Sequence, residues 1–291
     1  MQMIKKDSNY WPVRWLTCLF VLNCISCLAQ EMPVRDLSSH TSTVDTITIR
    51  SKVMGKDLRC VVIRPQTDDS LPVLYLLHGY SGNYSNWINK VPELKSWASG
   101  YRMMIVCPDG GYSSWYFDSP VDSTSKYETY IGSEIPEYID AHYATIRSRG
   151  SRAITGLSMG GHGALFLAFR HAVIFGGAGS MSGGLDLTTL KSKYEIVKRL
   201  GDTTRLEKNY ADYSVLNVID KKPSAPLAIT FDCGISDAFY PMNLAVHHKM
   251  LRLGISHDYT ERPGGHDWKY WKNSLKYQLV FFSDYFAADN K

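Results

Sequence analysis

Two kinds of segment alternate along this chain: short, nearly unbroken apolar runs, and longer stretches in which apolar residues recur every three or four positions. LPVLYLLHG and RMMIVCPDGG are of the first kind, each ending in a glycine turn, as strands covered on both faces do. SNWINKVPELKSWAS is of the second kind, with Trp87, Val91, Leu94 and Trp97 at helical spacing, and YETYIGSEIPEYIDAHY reads as another helix. TITIRSKVMGKDLRCVVIRP alternates apolar and polar residues on both sides of MGKD, which predicts an antiparallel hairpin. Further strands are expected at SRAITG, IFGGAGSMSG, PLAITFDCG and ISHDYTERPG, with helices through HGALFLAFRH, NLAVHHKMLRLG and DWKYWKNSLKYQLVFFSDYF. A polar, irregular insertion over 185–224 interrupts the alternation and is a candidate partial lid. The pattern predicts an α/β fold: a mainly parallel central sheet with helices on both faces and an antiparallel N-terminal hairpin. In such sheets reactive groups gather beyond the carboxyl ends of the strands, which says where to look for chemistry.

Composition adds limits. A chain of 291 residues with 44% hydrophobic residues can bury one large core, and a single α/β domain over 30–291 is the simpler organisation. The formal net charge of +4 is dispersed, with no basic stripe, so no nucleic-acid partner is expected. Lys5, Lys6 and Arg14 precede the apolar run WLTCLFVLNCISCLAQ, which ends in small residues; that order predicts a signal peptide over 1–29, cleaved after Ala29. Lipid attachment at Cys27 is the alternative, and either outcome exports the protein to the periplasm or beyond the cell. The run is shorter than the ~20 residues of a spanning helix, so no stable membrane span is expected. Cys60, Cys107 and Cys233 remain in the mature chain, widely spaced in apolar runs, and are expected as buried free thiols rather than metal ligands or a disulfide framework. No metal and no cofactor is expected.

The strongest chemical signal is ITGLSMGGHGALF, in which Gly156, Ser158 and Gly160 form G-x-S-x-G between a predicted strand and a predicted helix. A serine hydroxyl needs a base to become a nucleophile, and in this strand-to-helix setting base and acid follow the serine at the ends of later strands. His162 and His171 belong to the helix leaving the turn, His247 and His248 are mid-helix, and His257 starts a strand at its wrong end. His266, in the loop ERPGGHDW after the last strand, is the candidate base. Asp237 and Asp232 compete as the acid; Asp232 still sits on the strand, whereas Asp237 lies in the loop where it can reach His266. Oxyanion donors are expected from the backbone N–H of Met159, next to the serine, and of Tyr80, after the early strand end LLHG. His78 is read as a structural histidine that shapes this loop.

Together LPVLYLLHGYSGNYSNW, VCPDGGYSSWY, ITGLSMGGHGAL, CGISDAFY and PGGHDWKYW resemble the esterase branch of the α/β-hydrolases. This branch holds feruloyl and acetylxylan esterases of carbohydrate esterase family 1, tributyrin-type esterases, S-formylglutathione hydrolases and mycolyltransferases. The resemblance implies that the aspartate of G-x-x-D-x-F is the acid, which selects Asp237. It further implies an ester hydrolase, and the predicted export favours acylated carbohydrate or a small ester as substrate over a cytoplasmic glutathione thioester. Tyr112, Trp115, Tyr116 and Phe117, after a strand at the reactive edge, are candidates for walling a feruloyl or sugar pocket, or else for packing the loop onto the body. The reading of another class is a non-catalytic carbohydrate-binding relative.

Overall fold

The computed structural model describes residues 41–289; the predicted signal peptide, its cleavage point after Ala29 and the alternative anchor at Cys27 lie outside them. Eight strands form one sheet: β1 (Ser42–Ser51), β2 (Lys56–Pro65), β3 (Val73–Leu77), β4 (Met104–Pro108), β5 (Arg152–Gly156), β6 (Gly177–Met181), β7 (Ala228–Gly234) and β8 (Asp258–Arg262). Their spatial order is β1-β2-β4-β3-β5-β6-β7-β8. β1 and β2 pair antiparallel, β2 joins β4 antiparallel, and every other pairing is parallel. This is the predicted α/β-hydrolase architecture.

Successive side chains point to opposite faces, and because both faces are covered β3 and β4 are almost unbroken apolar runs. In β3, Val73, Tyr75 and Leu77 face one core with Ile135, Phe166 and Val246, whereas Leu74 and Leu76 face the other with Trp87, Leu94, Leu275 and Phe282. The first layer is built by helices Ile135–His142, Met159–Arg170 and Tyr240–Leu253, and the second by Asn86–Lys90, Leu94–Gly100 and Trp268–Asp289. The chain leaves β3 to form β4 on one side and returns to place β5 on the other. The crevice beyond the ends of β3 and β5 is therefore the switch point at which such sheets hold ligands.

Three expectations need refinement. SNWINKVPELKSWAS is two short helices, because Pro92 forces Val91 out of helical geometry (φ −134°, ψ 70°). The stretch entering Ile135–His142 passes through a π-helical turn at Tyr130–Glu134. The 185–224 insertion is a chain of short helices, Leu187–Leu190, Val197–Leu200, Glu207–Asp212 and Val215–Val218, each with a buried apolar or aromatic anchor. One-turn helices are too short for a 3.6-residue period to stand out, which is why the sequence reads as irregular. Cys60, Cys107 and Cys233 are free and buried, as expected.

Candidate active site

Ser158 stands between β5 and the helix Met159–Arg170 with φ 54° and ψ −116°, a conformation that costs a non-glycine residue about 1–3 kcal/mol and persists only where its surroundings enforce it. Enforcement is visible on both sides. Its N–H donates to Met181 O on β6 at 2.9 Å, and its carbonyl accepts from His162 N at 3.0 Å and Gly184 N at 3.2 Å. A side chain at Gly160 would place Cβ 2.6 Å from His78 O and 2.7 Å from Leu77 O, so only glycine lets the helix start this close to the end of β3.

The side-chain hydroxyl of Ser158 lies 2.9 Å from His266 Nε2, and His266 Nδ1 lies 2.9 Å and 3.1 Å from the two carboxylate oxygens of Asp237. The histidine and the aspartate are fixed to each other by backbone: Ile235 N donates to Arg262 O and Ser236 N to Gly264 O, both at 3.0 Å, which ties the loop after β7 to the loop after β8. The imidazole is also held by rings, with Phe239 at 4.6 Å and Trp271 at 4.9 Å between centroids, both edge-on. Burial by itself raises the Asp237 pKa, but the hydrogen bond and charge of His266 and the N–H of Phe239 (2.8 Å) outweigh it and hold the carboxyl below its usual range. It faces the imidazole as a carboxylate.

Asp232 takes no part in this chain. It lies on β7, buried, and accepts from Tyr270 Oη (2.9 Å), Ser274 Oγ (2.6 and 2.7 Å) and Gln278 Nε2 (3.0 Å), three residues spaced by four on one face of the final helix. Among the other histidines, His162 is buried against the carbonyls of Tyr213 (2.8 Å) and Trp115 (3.2 Å), and its pKa is pushed down to about 4 by burial. Neutral, it donates to one of the two, and the shorter contact to Tyr213 is the satisfied one. His78 is buried, its Nδ1–H donating to Gly79 O and its Nε2 accepting from Gly110 N, both at 2.8 Å, so the ring ties the end of β3 to the loop after β4.

Beyond β3, the N–H of Ser81 and of Gly82 are satisfied by Tyr112 O and Gly79 O, while no backbone acceptor takes the N–H of Tyr80 among the described residues. Met159 opens its helix, so no carbonyl of that helix lies one turn back to accept from it. Tyr80 and Ser158 share a cleft of about 460 Å³ with His266, Tyr194, Trp268 and Trp271. Among the described residues, no three His, Cys, Asp or Glu side chains are grouped to hold a metal ion.

In the aromatic segment after β4, Tyr112 lies edge-on to the cleft residue Tyr80 at 5.0 Å, whereas Trp115, Tyr116 and Phe117 differ from the expectation that they wall the cleft. Tyr112 is exposed at 56%, but Trp115, Tyr116 and Phe117 are buried at 1% or less. Trp115 and Tyr116 adopt positive φ (55° and 60°), which turns the chain inward, and Tyr116 packs on the helix after Ser158 so tightly that a Cβ at Gly163 would lie 2.5 Å from it. These three rings pack the loop onto the body, the alternative reading. Nothing in the residue pattern marks Tyr194 as a contact of the cleft, whereas Phe239 and Trp271 lie in the segments G-x-x-D-x-F and PGGHDWKYW that carry Asp237 and His266.

The family model described as "Putative esterase" matches residues 51–282. The chain is 29% identical over 255 residues to the acetyl esterase of Caldicellulosiruptor saccharolyticus, covering 79% of this chain and 94% of that protein. It superposes on a solved ferulic acid esterase with a TM-score of 0.72 at 30% identity, covering 85% of this chain and 99% of that one. It is also 33% identical over 192 residues to a diacylglycerol acyltransferase/mycolyltransferase of Mycobacterium leprae, spanning 56% of that protein's length.

Proposed function

This chain belongs to the esterase family of the α/β-hydrolases, a carboxylic ester hydrolase, and from that premise we propose that it is an exported serine esterase that removes feruloyl or acetyl groups from plant cell-wall polysaccharide. The observation that carries the serine mechanism is the unbroken hydrogen-bonded chain from Ser158 through His266 to Asp237 at a strained strand-to-helix turn. Ser158 Oγ attacks the ester carbonyl while His266 Nε2 takes its proton, and the oxyanion is met by the N–H groups of Met159 and Tyr80. His266 returns the proton to the leaving alcohol, then draws one from water, whose oxygen attacks the acyl-enzyme; the acid leaves and Ser158 Oγ is reprotonated. Asp237, ionised, keeps the Nδ1 proton in place so that Nε2 presents its lone pair to the serine.

The acetyl and feruloyl groups of this reading are suggested by the names of the two relatives, and the polysaccharide alcohol by the resemblance to carbohydrate esterases together with the predicted leader at 1–29 or lipid anchor at Cys27. A general short-chain esterase of tributyrin type is the second reading, favoured by the acetyl esterase likeness. Hydrolysis of p-nitrophenyl acetate by the mature protein against Ser158→Ala tests the mechanism, since equal rates would sink it. Methyl ferulate against acetylated xylan tests the substrate; failure on both with cleavage of tributyrin would move the assignment to the second reading.

A further inference from the structure

The insertion over 185–224 contributes one ring to the cleft, and its backbone is bent to do so. Lys191, Tyr194 and Glu195 all have positive φ (37°, 55° and 56°), a cluster of strained non-glycine residues that needs outside support. Support comes from the buried turn after β4: Trp115 Nε1 donates to Tyr194 O at 3.3 Å and Ser113 Oγ to the Glu195 carboxylate at 2.9 Å. Lys198 Nζ holds the same carboxylate at 2.6 Å. Trp115, buried behind the cleft, thus anchors the residue that lines it.

The Tyr194 ring lies edge-on to Tyr80 at 5.4 Å and edge-on to Phe239 at 5.9 Å, and Phe239 in turn abuts His266. It spans from the loop of the proposed oxyanion donor to the ring that braces the base. Trp268 and Trp271 line the same cleft, so aromatic rings arise from separate parts of the chain around Ser158. An acetyl group has three heavy atoms and fills little of about 460 Å³, whereas a cleft of that size lined by rings suits a planar aromatic group in edge or offset contact. Tyr80, whose N–H is the proposed oxyanion donor, and Tyr194 line this cleft together with their rings 5.4 Å apart.

We propose that Tyr194 is a specificity-determining residue, which makes the enzyme favour esters of planar aromatic acids over acetates; this rests on the serine-esterase reading of Ser158. The test holds the alcohol constant and compares kcat/KM for methyl ferulate and methyl acetate in the wild type, Tyr194→Leu and Tyr194→Phe. Tyr194→Leu keeps bulk and removes the ring, and the ferulate-to-acetate ratio is expected to fall about tenfold. Tyr194→Phe keeps the ring and is expected to hold the ratio within about threefold, because a single hydroxyl contributes little. An unchanged ratio in Tyr194→Leu, a parallel loss on both esters, or an equal fall in Tyr194→Phe would overturn the inference. Thermal melts accompany the kinetics, and Tyr194→Ala replaces the leucine variant if the latter is unfolded at assay temperature. Ser158→Ala as fast as the wild type would overturn the esterase reading and this inference together; an inactive Ser158→Ala beside an unchanged Tyr194→Leu ratio would overturn this inference alone.

Discussion

Asp232 and Asp237 belong to the same short stretch at the end of β7, yet their surroundings give them opposite characters. Asp232 is enclosed by donors from the final helix, and burial raises its pKa despite the opposing pull of Ser274, Arg262, Gln278 and Tyr270. Asp237, past the strand end, meets an imidazole and a backbone N–H that overcome its burial and lower its pKa. The first fastens a helix to the sheet, and that helix carries Trp268 and Trp271 to the cleft; the second fastens the imidazole that faces Ser158. A buried, multiply hydrogen-bonded carboxylate beside the cleft is therefore not by that fact part of the Ser158–His266 chain. What distinguishes them is the partner: three neutral donors and the Arg262 guanidinium at 3.5 Å in one case, and an imidazole in the other.

The largest effect is expected at Ser158, the proposed nucleophile at the end of the chain that Asp237 closes. Ser158→Ala is expected to lower kcat/KM on p-nitrophenyl acetate by at least about 10⁴-fold, because it removes the hydroxyl on which the proposed acyl-enzyme forms. Asp237→Asn comes next, with an expected loss of about 10³–10⁴-fold: the amide NH₂ turned toward Nδ1 drives the histidine proton onto Nε2, which then has no lone pair for the serine. Its melting temperature is expected to change little beside that loss, so kinetics and melting read different things.

Asp232→Asn is expected to behave in the opposite way. Its three neutral partners all donate, and an asparagine offers one acceptor and a donor that faces donors, so the protein should be destabilised by about 2–3 kcal/mol. In a chain of this size that is a drop of roughly 5–10 °C in melting temperature. Activity below the melt should fall less than about tenfold, since the Ser158–His266–Asp237 chain is untouched. A loss of activity as deep as that of Asp237→Asn, with unchanged melting, would make Asp232 the working acid and erase the distinction.

Much of this was legible in the sequence, for a physical reason. Ser158, His266 and Asp237 stand in short glycine-bearing turns directly after strands, where the local pattern fixes both backbone path and side-chain exposure. The sheet was legible because strands buried on two faces leave near-continuous apolar runs. Trp115, Tyr116 and Phe117 were ambiguous because inward or outward direction there depends on positive φ at two non-glycine residues, for which sequence carries no signal. Tyr194 was hidden twice over, by one-turn helices without a readable period and by a strained backbone that only the distant Trp115 and Ser113 explain.

The smallest expected effect separates the two aspartates by pH. Asp232 has a folded pKa above its unfolded value, so as pH falls through the folded pKa the native state takes up a proton that the unfolded chain does not yet bind, and stability gained there is complete below the unfolded value. An asparagine in its place cannot take up that proton, and the melting gap between wild type and Asp232→Asn should therefore widen as pH falls from 7 toward 4. Asp237 has the reverse sign: its stabilisation is present above the unfolded pKa and is lost only as pH falls through a folded pKa below it. The gap between wild type and Asp237→Asn should accordingly stay flat from pH 7 to about 4 and close only below that. Melting curves of the three proteins across that range read both slopes at once, and gaps that move together would show that the two carboxylates share one environment rather than two.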